Sequence, residues 1–481
     1  MLKQLFRRKP IDAINELNGN SEPHLKRVLS AFDLTFLGIG AIIGVGIFVI
    51  TGTAAARFAG PGIVLSYGLS MLACVFAALC YAEFASILPL AGSAYNYSYA
   101  TLGELIAWIV GWDLVLEYVV CSITVAIGWS GYFVSILKAV GLTVPAWCSA
   151  APGSVSGAVI NLPAAGIVML LTVPLVFGVK QSSRLTTALV FVKLLAILTF
   201  VGIAFSHVNT ANWEPFLPYG FKGVVAGAAI IFFAYIGFDA VSTTAEETIN
   251  PQRNLPIGII ASLLICTVIY VVVALILTGV VPYHSLDTPA PVAYALSAIG
   301  FRWGSALVSA GAIAGITSVL LVFLLGQPRI FFAMSRDGLI WPWCSRIHPR
   351  YNTPYRAQIM CGLSVAVFAA FLDIGTAAEL TNIGTLFAFT LVCSGILVLR
   401  YTEPNRPRHF RCPFVPVIPI LGIASCLWLM LNLPFMTWIR FIGWFAIGIV
   451  IYFTYSRKHS RLANNGDRAI EAGVCIEKAE L

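Results

Sequence analysis

The chain has 481 residues, of which 59% are hydrophobic and only 10% charged, with a mean hydropathy of +0.89. Soluble domains are usually about 45–50% apolar and about 25% charged, so no soluble fold could hide this surface and the lipid bilayer must be the solvent. A soluble enzyme, a secreted disulfide scaffold and a disordered regulator are excluded. The net charge of +8 does not mark a nucleic-acid binder, because the basic residues sit in short segments between apolar runs, where they orient a membrane protein. The 11 cysteines lie mostly inside apolar runs and form no C-x-x-C pair, and the six histidines fall in polar connecting segments. Buried free thiols are therefore expected, with no metal and no cofactor. No cleavable signal is expected in the polar segment 1–32.

Taken in chain order, twelve apolar runs are long enough to cross a bilayer. They cover residues 33–57, 62–89, 104–137, 161–178, 187–206, 222–250, 257–280, 302–335, 356–373, 376–399, 414–433 and 438–455. The third, sixth and eighth are too long for one straight crossing, which predicts tilt or a break. An even number of spans places both termini on one side. On that side fall 23 of the 29 Lys and Arg residues, against five on the other, with Lys193 inside a span. The excess makes that side cytoplasmic. The predicted organisation is a cytoplasmic segment 1–32, a five-helix repeat 33–206, a second repeat 222–399, two further helices 414–455, and a polar cytoplasmic tail 456–481.

The first run contains FLGIGAIIGVGIF at 36–48, with glycines at 38, 40, 44 and 46. Glycine costs about 1 kcal/mol relative to alanine in a helix interior. Gly40 and Gly44 could form a close-packing face, or the stretch could unwind so that freed N–H groups bind a carboxylate. The sixth run favours unwinding, because it carries its own interior glycine, Gly237, followed by Asp239. Spans one and six correspond in a five-plus-five arrangement and start on opposite sides, which makes the halves inverted repeats. Interrupted helices at corresponding positions point to a transport site.

These residues carry a resemblance. The stretch 36–48, FFAYIGFDAVSTTAEE at 232–247 and GQPRIFFAMSRDG at 326–338 closely resemble amino acid permeases of the amino acid–polyamine–organocation superfamily. They look most like the bacterial branch of the cationic amino acid transporter family. The similarity covers about residues 25–455. It implies an all-α membrane protein with the LeuT-like inverted repeat, helices 1 and 6 unwound at mid-membrane, and α-amino acid substrates, often carried with protons.

An ionisable residue inside a span is a functional candidate by default. Lys193 in span five has no acidic neighbour in its run. Its stem could snorkel to the headgroups, or it could be a desolvated amine that gains and loses a proton. In proton-coupled relatives the lysine at this place takes the position of a sodium ion between spans one, five and eight. Glu117 lies well inside span three, one turn beyond Asp113 on the same face. The family pattern places an acid there, close to the central site, and Asp113 reads as structural. Asp239 caps the second half of span six and is also a coupling candidate. Thr317 and Ser318 of span eight could face Lys193 or simply bond back to their own helix. Ile316, Leu320 and Phe323 share one face; packing is the default, but as pocket lining their bulk would disfavour arginine or lysine as cargo. Glu83 reads as a paired structural acid.

The sequence thus predicts a transporter of L-amino acids working by alternating access, with protons as the coupling ion. The substrate carboxylate would sit on N–H groups of Ile42, Ile43, Gly44, Val45 and Gly46. Its ammonium would meet carbonyls of Phe233, Ala234, Tyr235, Ile236 and Gly237, with Phe233 and Ile236 shaping the side-chain space. Lys193 would be the proton-linked switch, with Glu117 and Asp239 nearby. An obligate exchanger on the same fold is the alternative. A receptor that binds an amino acid without moving it would need a signalling domain that the short flanks do not supply. No G-x-S-x-G, H-E-x-x-H or P-loop pattern suggests an enzyme. Beyond the amino acid and the bilayer, the sequence names no partner, including any small membrane protein.

Overall fold

The computed structural model describes residues 5–9, 29–88, 93–177, 183–351 and 353–462. The expected terminal segments 1–32 and 456–481 fall mostly outside the described residues. Every regular element among those residues is helical. Twelve helices, one for each apolar run, carry the bundle: α1 (Ala31–Ile42), α2 (Ile63–Ile87), α3 (Glu104–Ala139), α4 (Leu162–Val176), α5 (Ser183–Ala204), α6 (Gly220–Ile231), α7 (Pro251–Val280), α8 (Arg302–Arg336), α9 (Tyr355–Phe371), α10 (Ile374–Thr402), α11 (Val417–Leu431) and α12 (Phe435–Ile451). Eight helical stretches are long and apolar enough to cross a membrane, and α1, α4, α9 and α11 are shorter apolar helices. The chain is thus a multi-pass membrane protein.

Local chemistry sets several of the ends. Ser30 Oγ accepts from the Asp33 N–H (3.3 Å) and Asp33 Oδ2 from the Ser30 N–H (2.9 Å), a capping box that starts α1. Asn161 Oδ1 caps α4 through the Ala164 N–H (3.1 Å) and Asp373 Oδ1 caps α10 through the Thr376 N–H (2.9 Å). Of the three runs expected to tilt or break, α3 and α8 continue unbroken over 36 and 35 residues, and only the sixth is interrupted. Two short helices, Ser93–Thr101 and Pro291–Ala298, were not expected. Ser93–Thr101 is less apolar than the spans it connects, and Pro291–Ala298 has only eight residues, so no span-length hydrophobic run announces either.

Packing reverses the soluble pattern. Phe191, Leu195 and Leu198 of α5 and Ile442 and Val450 of α12 face outward, as lipid contact requires, while polar residues are collected inside. Helix α3 packs on α8 and α10, α2 on α7, α4 on α9, α5 on α8, and α7 also on α1. The ten described cysteines are buried and free. At one end of the bundle the first and last described segments, 5–9 and 457–462, meet. Arg7 Nη1 donates to the Leu462 carbonyl (2.9 Å), Lys9 pairs with Asp337 (3.1 Å), and Ser460 Oγ donates to Glu104 (2.6 Å).

Glu83 of α2 is fully buried and paired. Its carboxylate meets Arg400 Nη2 (2.8 Å) and Arg408 Nε (3.1 Å) and accepts from the Cys412 N–H (2.8 Å). The Arg408 side chain is only 1% exposed, so removing Glu83 strands a buried guanidinium. Breaking a buried pair on one side costs about 3–5 kcal/mol. Glu83→Ala is expected to lower the thermal unfolding midpoint of the purified protein by several degrees, measured by scanning fluorimetry. An unchanged midpoint would show the pair to be dispensable.

Candidate functional site

Two helices break at the same place in the bundle. Helix α1 stops at Ile42, Ile43 is extended (φ −75°, ψ 106°), and a wider-wound helix resumes over Gly46–Ile50. Helix α6 ends at Ile231 and tightens to a 3₁₀ turn over Phe232–Tyr235. Ile236 is then extended (φ −62°, ψ 135°), and 3₁₀ turns follow over Asp239–Glu247. Gly237, with φ 120°, occupies backbone space that L side chains rarely enter. A Cβ there would lie 2.9 Å from the Ala41 carbonyl, and a Cβ on Gly46 would collide with the backbone of Ala234. The two breaks therefore meet backbone to backbone, and only glycine permits the approach at these two positions.

A helix end leaves N–H and C=O groups without intrahelical partners, and side chains from other helices answer them here. Lys193 of α5 is fully buried. Its Nζ donates to the carbonyls of Gly40 (2.5 Å) and Ile43 (2.9 Å) and lies 3.4 Å from Ser318 Oγ. The amine points into the bundle rather than toward a membrane surface, at the negative end of the α1 dipole. Asp239 Oδ1 accepts from the Gly237 N–H (3.3 Å), inside the break. Glu117 of α3 is buried in contact with Thr385 of α10. Asp113, also buried, has neither carboxylate oxygen hydrogen-bonded among the described residues and lies against Gly384.

The remaining candidates divide. Ser318 reaches Lys193, whereas Thr317 turns away: its Oγ1 accepts from Trp129 Nε1 (2.9 Å) and donates to the Ile313 carbonyl (2.7 Å). Ile316, Leu320 and Phe323 are all buried, and Phe323 packs edge-on against Tyr118 at 5.3 Å. The α8 residue opposite Gly44 is Val319, which the sequence reading did not select. Phe233, Ala234, Tyr235 and Ile236 are buried at the α6 break.

Two other residues escaped the sequence reading. Tyr270 of α7 lies 2.9 Å from both the Ile42 and the Ala234 carbonyl, and Asn382 Nδ2 donates to the carbonyls of Ala229 (2.7 Å) and Ile230 (3.0 Å) at the end of α6. A signal existed for each, since tyrosine hydroxyls and asparagine amides inside spans need partners. Neither is charged, and polar neutral residues are frequent enough in spans to pass as packing.

A family model described as amino acid permease matches residues 29–455. The chain is 51% identical to a branched-chain amino acid permease of Bacillus subtilis, over 96% of this chain and all of that one. It is 50% identical to a methylthioribose transporter of the same organism, again over 96% of this chain and all of the relative. Human cationic amino acid transporter 4 is 30% identical, over 96% of this chain and 91% of its own. These relatives are named as permeases and transporters, not enzymes. With the family model spanning both breaks and all the helices around them, this chain belongs to the amino acid permease family.

Proposed function

We propose that this permease carries neutral, apolar L-amino acids by alternating access, driven by protons, on a LeuT-like inverted repeat of twelve spans. The observation that carries the coupling is the position of Lys193. As an ammonium it supplies hydrogens to the carbonyls of Gly40, in the last turn of α1, and of Ile43, at the break. As a neutral amine it has one hydrogen fewer and no charge to hold the negative end of α1. Loss of its proton would free the break to move, and regaining it would reset the grip. Glu117 and Asp239 are the buried acids near enough to the breaks to share that proton.

The packing supports the repeat. Pairs five helices apart lie against each other: α2 on α7, α3 on α8, α4 on α9. The same exchange converts α1 on α7 into α6 on α2, and α3 on α10 into α8 on α5, all of which are in contact. The two short helices also fall at equivalent places, after α2 and after α7. Segments 5–9 and 457–462 meeting at one end of the bundle fit an even number of spans, and the excess of Lys and Arg supports a cytoplasmic placement of that end.

The cargo's carboxylate would take the N–H groups of Gly44 to Gly46, at the positive end of the second half-helix; Ile42 and Ile43, expected among them, are spent, since Ile42 lies within α1 and the Ile43 N–H donates to the Ile39 carbonyl (3.0 Å). Its ammonium would take carbonyls between Phe233 and Gly237. Val45 and Val319 beside the α1 break are apolar, and Ile316, Leu320 and Phe323 of α8 bring no carboxylate for a second positive charge. A leucine-sized cargo fits this better than arginine or lysine, in line with the branched-chain permease relative.

The reading is tested by uptake of labelled amino acids into proteoliposomes with and without an inward proton gradient, with methylthioribose as a competitor. Gradient-driven accumulation of leucine, isoleucine or valine is expected. Label entering only preloaded vesicles would make the protein an exchanger, and displacement by methylthioribose alone would change the cargo class. Lys193→Ala should abolish gradient-driven accumulation while the protein still elutes as a folded monodisperse species; full accumulation by this variant would sink the coupling role. Gly46→Ala should reduce initial uptake at least about tenfold, because its methyl group meets Ala234. Gly68→Ala, where an added Cβ meets nothing within 4 Å, should leave uptake intact.

A further inference from the structure

We propose that Tyr270 is a positioning residue that ties the two interrupted helices into one moving body. Its phenolic oxygen lies 2.9 Å from the Ile42 carbonyl, among the last of α1, and 2.9 Å from the Ala234 carbonyl, in the tightened turn after α6. A phenol has one hydrogen to give. It is therefore shared between two buried acceptors on separate elements, with lipid offering neither of them a substitute.

The ring cannot follow either carbonyl alone. It is fully buried and packed against Tyr67 at 5.3 Å and Tyr235 at 5.6 Å. Tyr67 is itself fixed by Thr51 Oγ1 (2.6 Å), beyond the α1 break, and its carbonyl accepts from Tyr235 (3.1 Å), at the α6 break. This aromatic trio joins α2, α7 and both broken elements. Moving one break without the other would pull a buried carbonyl off its donor, so the two are expected to move together.

The division of labour with Lys193 follows from position. Lys193 donates to the Gly40 and Ile43 carbonyls of α1 and approaches Ser318 of α8, and none of these three partners is on α6. Tyr270 is the group that passes a displacement of α1 to the α6 break. The Lys193 grip alone could release α1, but without Tyr270 that release would not reach the other half of the site.

Hydrogen–deuterium exchange of the full-length protein in lipid nanodiscs, without cargo, tests the tie. In Tyr270→Phe, which keeps the ring and loses the donor, segments 39–46 and 232–240 are both expected to exchange roughly tenfold faster, while α9 and α12 exchange as in the wild type. Acceleration of one segment only, or of neither, would overturn the proposal. Tyr235→Phe, whose hydroxyl serves Tyr67, should leave 39–46 unchanged. Should Tyr270→Phe not fold, exchange of the wild type in dilute urea decides: one common urea dependence for both segments supports the tie, and two different dependences refute it. The idea rests on the transport reading only for its consequence, a turnover loss of about tenfold in labelled L-leucine uptake by Tyr270→Phe. Wild-type protein that takes up no leucine would count against the proposed cargo, and the exchange result would still judge Tyr270.

Discussion

Backbone groups freed inside a membrane must find partners within the protein, because the hydrocarbon supplies none. A broken helix in this setting is a set of demands. The carbonyls of Gly40 and Ile43 are met by Lys193, those of Ile42 and Ala234 by Tyr270, those of Ala229 and Ile230 by Asn382, and the Gly237 N–H by Asp239. Each donor comes from an element other than the one it serves, and Asp239, the acceptor of the set, lies in the interrupted sixth span itself. The breaks are therefore not local irregularities; they are the points where α5, α7 and α10 take hold of α1 and α6.

That arrangement explains why charge and small side chains occur together at the centre. An unsatisfied buried polar group costs about 1–3 kcal/mol, so a bare break would be unstable, while a permanently saturated one could not open. In the proposed mechanism a titratable donor such as Lys193 resolves the conflict, its hold depending on a proton. The glycines solve a different problem. Gly46 and Gly237 let two backbones touch, which brings the two breaks against each other.

The outer parts of the molecule are built more rigidly. Glu83 with Arg400 and Arg408, and Asp337 with Lys9, clamp helix ends to the connecting segments. Of the long continuous helices, α8 packs on α1 and carries Ser318 to Lys193, and α3 carries the buried Glu117. Interrupted helices held among uninterrupted ones allow a small displacement at the centre to be borne by the whole bundle.

The sequence by itself determined the solvent, the number and order of apolar helices, the glycine-marked breaks in the first and sixth, and the candidacy of Lys193, Glu117 and Asp239. Those features are legible because a bilayer punishes charge and broken helices so heavily that every exception stands out within a single apolar run. Only the tertiary structure decided what each exception touches. It turned Ser318 toward Lys193 and Thr317 toward Trp129, although the two are adjacent in sequence. It placed Val319 opposite Gly44, and it revealed Tyr270 and Asn382 as donors to the breaks. Helical rotation of 100° per residue separates neighbours in sequence onto different faces, and partners 36 to 228 residues apart leave no mark in local pattern. Neutral polar residues carry too small an insertion penalty to be noticed until the carbonyl they serve is in view.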